Sequence, residues 1–170
     1  MSLVFLDTET TGLDPDFHDV WEIAYAVDDR PIRSCVVDHD PVRSDLKALS
    51  LNGYFGRGDS RSRERDSLYS MNFELKLRED LDGATLVGAN PAFDAAFLRT
   101  RWDVAPWRYR LLDVEAYAMP ALGLSEPKGL AYIAERLGIS APDHSASTDV
   151  HVLRECFRAL RTYYNIGAVL

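Results

Sequence analysis

The chain has 170 residues, 46% hydrophobic and 27% charged, the size and balance of one globular domain that buries its core without disulfides or a structural metal. Its net charge of −8 excludes the basic coating proteins of nucleic acids, whose affinity comes from displaced counterions. The lack of any run near the roughly 18 apolar residues of a membrane span and of a signal-peptide start sets the expectation: one cytoplasmic domain over 1–170, with no membrane partner. Cys35 and Cys156 are too few and too distant for a disulfide framework or a four-ligand zinc site, and read as buried free thiols.

In chain order, Leu3 to Leu6 is an unbroken apolar run ending in Asp7, which predicts a strand buried on both faces, broken by the turn residues Thr10 to Pro15. Trp21 to Val27 and Ile32 to Val37 predict a hairpin across Asp28 to Pro31. Val42 to Leu51 has weak helical spacing. From Gly53 to Ser67 the chain is rich in Gly, Ser, Arg and Asp, and a flexible arginine-rich loop is expected over 56–67. Its cations, Arg57, Arg61, Arg63 and Arg65, either guide a phosphate backbone or form a solvated face, since Asp59, Glu64 and Asp66 dilute them. Leu68, Met71, Leu75 and Leu81 predict a helix closed by Gly83. Thr85 to Gly88 predicts a buried strand, and Asn90-Pro91 a helix start with an apolar face at Phe93 and Phe97. Tyr109 to Val114 reads as a fifth strand, Leu130 to Leu137 as a helix closed by Gly138, and Val150, Leu153, Phe157 and Leu160 as the stripe of a last helix. Strands alternating with helices after a hairpin give an α/β class with a mixed sheet. Trp21, Trp102 and Trp107 read as packing residues. The apolar tail Ile166 to Leu170 either packs on the core or docks a polymerase or a second copy of the chain.

Three short segments carry candidate chemistry. Asp7 and Glu9, two apart on a strand, point to one face about 6.5 Å apart, so they form either a solvated strand mouth or a pair converging on metal ions. Asp94 falls in a first helical turn, where an anion is favoured by the macrodipole whether or not it does more. His144 and Asp149 flank the start of the last helix and read singly as a loop residue and a capping charge.

Taken together, Asp7-Thr8-Glu9-Thr10-Thr11-Gly12, Asn90-x-x-Phe93-Asp94 and His144-x-Ala146-x-x-Asp149 resemble, in order, the three motifs of the DnaQ-like 3′→5′ exonuclease superfamily in its histidine-containing DEDDh branch. Leu51-Asn52-Gly53, Leu112-Asp113 and Gly129-Leu130 are weaker echoes between them. The resemblance implies an RNase H-like fold, a five-stranded mixed sheet flanked by helices with the second strand antiparallel. It implies two divalent cations, Mg²⁺ or Mn²⁺, on Asp7, Glu9, Asp94 and Asp149, with Asp7 bridging them and His144 as general base. It further implies hydrolysis at nucleic-acid 3′ ends, of single-stranded DNA or RNA, with release of 5′-nucleotides in proofreading or end-trimming. Thr10, Leu13, Asn52 and Tyr54 are the implied contacts to the terminal sugar and bases. The alternative is a catalytically silent binding or interaction module of the same fold.

Overall fold

A computed structural model describes residues 2–57 and 67–167, without the side chains of residues 67 and 165–167. Five strands form one sheet in the order β3-β2-β1-β4-β5: β1 (Leu3–Thr10), β2 (Val20–Val27), β3 (Arg33–Val36), β4 (Thr85–Gly88) and β5 (Leu112–Asp113). β2 runs antiparallel to both β1 and β3, while β4 and β5 are parallel to their neighbours, so the sheet is mixed as expected for the RNase H-like arrangement. The helices are α1 (Leu46–Leu51), α2 (Tyr54–Arg57), α3 (Ser67–Leu81), α4 (Pro91–Trp102), α5 (Val114–Leu122), α6 (Leu130–Leu137) and α7 (Ala146–Gly167).

Period-two alternation sorts the two faces. Val4, Leu6, Ile23 and Tyr25 join Leu77 and Leu81 of α3 and Phe97, Leu98 and Trp102 of α4 in one core layer. Phe5, Ala24 and Ala26 join Val114 and Ala118 of α5, Ile133 of α6 and Val150, Leu153 and Phe157 of α7 in the other. The sheet is thus covered on both faces, which is why its central strands read as unbroken apolar runs. All three tryptophans and both cysteines are buried, and neither cysteine forms a disulfide.

Several elements differ from the sequence reading. β1 continues past Asp7 to Thr10 because β2 pairs with it along its whole length. The fifth strand shrinks from Tyr109–Val114 to Leu112–Asp113; Tyr109 is exposed, and the Asp113 side chain accepts from the Glu115 backbone N–H at 2.9 Å, starting α5 at once. α5 itself was not expected; Pro120 within it obscured the helical pattern. In α3 the buried stripe is Phe73, Leu77 and Leu81, whereas Leu68, Met71 and Leu75 are half exposed. Two apolar stripes share this helix, and periodicity alone could not choose between them. Asn90 precedes α4 in the left-handed region (φ 55°) and makes no side-chain cap. Of the expected arginine-rich loop, Gly56 and Arg57 belong to α2 and Ser67 to α3, and 58–66 lies outside the described residues. So do the side chain of Ile166 and the whole of 168–170.

Candidate active site

The candidate site lies at the carboxyl end of β1, which outruns its neighbour β4. β4 pairs with β1 only from Leu3 to Phe5, so the backbone of residues 6–10 on that side needs other partners. Asp94 supplies one: its Oδ1 accepts from the Thr8 backbone N–H at 2.9 Å and from Thr8 Oγ1 at 2.8 Å. Thr8 continues the Val4 and Leu6 row, the face packed by α4, which is why a first-turn acid of α4 meets it. The approach is close. A β-carbon on Gly88 would lie 2.9 Å from Pro91 Cβ, so glycine lets the chain turn from β4 into α4 tightly enough to bring Asp94 to β1.

Asp7 and Glu9 belong to the opposite row, continuing Phe5 toward α7. α7 answers with Asp149 from its first turn, and one carboxylate oxygen each from Asp7, Glu9 and Asp149 fall within 4.8 Å of one another. Asp149 is oriented by the loop before it: the Asp143 backbone N–H donates to its Oδ1 at 3.1 Å, and the Ser145 N–H donates to Asp143 Oδ1 at 3.1 Å. Between them His144 takes a left-handed backbone (φ 58°) and is exposed, near enough for its charge to lower Asp149.

These acids sit under strain of like charge. Burial raises Asp7 well above the carboxylate range, and the charges of Asp94, Glu9, Asp149 and Glu22 raise it further. Glu9 is pushed up to about 9 by burial, then by Asp149 and Glu22, with Arg57 pulling the other way. Asp94 is pushed up to about 7 by burial, offset by its Thr8 bonds. Burial also raises Asp149 against the bond from Asp143. Four oxygen donors of one sign, two of them on one strand and two on helix first turns, suit hard divalent cations such as Mg²⁺ or Mn²⁺, which would supply the missing positive charge.

Two further residues border this cluster: Glu22, which the sequence did not single out, and Arg57, which it placed among the cations of the arginine-rich loop. Glu22 of β2 stands opposite Glu9 in the strand register and is 5% exposed. Arg57, at the end of α2, donates to Glu22 Oε2 at 2.8 Å and also to the carbonyl oxygens of Asn52 and His144. The signal for Glu22 was present in the sequence: a lone acid inside the apolar run Val20–Val27 needs a buried partner.

The remaining expected contacts separate by exposure. Leu13 is 76% exposed beside the site's entrance turn. Thr10, Asn52 and Tyr54 are buried: Thr10 Oγ1 donates to the Gly12 carbonyl at 2.6 Å, Asn52 Nδ2 donates to the Thr10 carbonyl at 2.9 Å, and Tyr54 lies edge-on to Trp21 with its hydroxyl 2.9 Å from His39 Nε2. Thr10 and Asn52 thus hold the turn after β1 that leads to Leu13, while Tyr54 packs α2 against β2 and His39.

No protein-family model and no curated protein matches the sequence. Solved structures do match. The nuclease domain of 3′hExo, a DEDDh family member bound to rAMP, superposes with a TM-score of 0.68 at 16% identity, over 96% of this chain and 92% of that one. The fold is that of the DEDDh exonucleases. S. pombe Pop2p in its Mg²⁺- and Mn²⁺-bound form gives a TM-score of 0.68 at 17% identity over 95% of this chain and 83% of that one. E. coli exonuclease I in complex with a dT13 oligonucleotide gives 0.72 at 17% identity over 95% of this chain, which spans 41% of exonuclease I. No described helix is long and apolar enough to cross a membrane.

Proposed function

We propose that the chain is a DEDDh-type exonuclease that binds two divalent cations, Mg²⁺ or Mn²⁺, and hydrolyses the terminal phosphodiester at nucleic-acid 3′ ends, releasing 5′-nucleotides. The observation that carries this reading is the convergence of Asp7, Glu9 and Asp149 within 4.8 Å, with Asp94 alongside on Thr8. A silent module has no physical use for buried acids that repel one another. The neighbours bound to rAMP, to dT13 and to Mg²⁺ and Mn²⁺ support the same reading at the level of the fold.

Asp7, Glu9, Asp94 and Asp149 would hold the cations. The cations supply a water of lowered pKa and a positive charge for the leaving 3′ oxygen. His144 would accept the proton of the attacking water as general base. Its exposure lets it hand the proton on to solvent. Leu13 meets the terminal base by apolar contact, on the turn held by Thr10 and Asn52. The test incubates the protein with 5′-labelled single-stranded DNA and RNA in Mg²⁺, Mn²⁺ or EDTA. A ladder shortening from the 3′ end, absent in EDTA and in Asp94→Ala, is expected; no cleavage of either polymer by folded, cation-loaded protein would leave the silent module.

A further inference from the structure

Arg57 occupies an unusual position for a residue of an arginine-rich stretch. It lies half-buried, its guanidinium 5.4 Å from the Trp21 ring and in an ion pair with Glu22. Glu22 and Glu9 are direct cross-strand partners, and like charges facing each other across a strand pair destabilise it. Arg57 removes that conflict on the Glu22 side. Its fork has donors left over. One nitrogen bonds to Glu22, while the other donates to two backbone carbonyls, those of Asn52 and His144. A planar guanidinium can hold three acceptors from three segments at fixed angles, which a lysine ammonium on its flexible stem does not reproduce.

Those three acceptors belong to the start of β2, to the turn after α1 and to the loop before α7. The last carries His144, whose φ of 58° lies in the left-handed region, uncommon for a non-glycine residue. The acids need no such tie, because strands and helices place them. His144 does.

We infer that Arg57 is a positioning residue for His144, fixing the backbone of the histidine loop to the buried Glu22 and to the Asn52 turn. The inference rests on the exonuclease reading above and assigns Arg57 no contact with substrate. It separates Arg57 from the other arginines of the stretch.

The experiment compares the full-length chain with Arg57→Met and Arg57→Lys in two measurements. In the first, kcat and KM are taken on a 5′-labelled oligonucleotide with Mn²⁺. Arg57→Met is expected to lower kcat by about 10- to 100-fold, the scale of a small misplacement of a catalytic group, with KM little changed. Arg57→Lys, which keeps the charge beside Glu22 and so the fold, is expected to fall between the two. Unchanged kcat in both variants overturns the inference, and so does a raised KM at unchanged kcat, which would make Arg57 a substrate-binding cation. The second measurement is hydrogen exchange of the segment 141–149, made without substrate or metal. Faster exchange there in both variants, with α6 unchanged, is expected; exchange equal to the parent chain overturns the tie. Because this readout needs no turnover, it decides the matter even for a chain that cuts nothing. An inactive parent chain defeats the exonuclease reading, whereas an active parent with equally active variants defeats only the role of Arg57.

Discussion

The four acids and the histidine of the candidate site are held in opposite ways. Asp7 and Glu9 lie inside a strand paired along its length, and Asp94 and Asp149 lie in first helical turns packed on the two faces of the same sheet. His144 lies on an exposed loop with a left-handed backbone, held through its carbonyl by Arg57. Groups that repel one another need rigid support, since any slack in the elements would let them part. A group that must pick up a proton and release it needs access to solvent, and a loop provides it.

The largest effect is expected at the acids. Asp94→Ala removes both a proposed cation ligand and the acceptor of the Thr8 N–H, so activity should fall to background and the Mn²⁺-induced rise in Tm should shrink. If activity survives, the acids are not the reaction centre. His144→Ala comes next: kcat should drop by about 10²- to 10⁴-fold, while folding and cation binding stay intact. An equal loss of cation affinity would mean that loop and acids are not separable.

Stability against pH distinguishes the same two sets. Glu9 at about 9 and Asp94 at about 7 lie above the values near 4 that they take unfolded. Between those values the folded state holds more protons than the unfolded one, so the cation-free protein should lose stability as pH rises from about 4 to about 9. Melting in EDTA should show Tm falling from pH 5.5 to pH 8.5, and the gain on adding Mn²⁺ should be larger at the higher pH. A Tm that rises over this range in EDTA would contradict the burial argument. The smallest effect is expected at Leu13, where Leu13→Ala should raise KM severalfold with kcat held, reflecting about 1 kcal/mol of lost base contact.

The sequence makes the sheet legible where burial is two-sided and hides it where burial is partial. β1, β2 and β4 stand out as apolar runs, but β5 has only Leu112 and Asp113, too short to show a period. α3 carries two apolar stripes, and only packing against β2 selects Phe73, Leu77 and Leu81. The acidic positions are legible because they come in short motifs at element ends. The Glu22–Arg57 pair is not, since 35 residues separate its members and Arg57 is camouflaged by the arginines that follow it. Nor could residue type distinguish exposed Leu13 from buried Asn52 and Tyr54 among the expected substrate contacts.

At the centre of this account is one claim: the folded chain charges its acidic corner only against divalent cations. Calorimetric titration of Mn²⁺ into the cation-free protein at pH 7.5, repeated in two buffers of different ionisation enthalpy, tests it directly. The account predicts binding coupled to release of roughly one proton or more, because the acids are held partly protonated until cations arrive. Binding without proton release, or no binding at all, would contradict it.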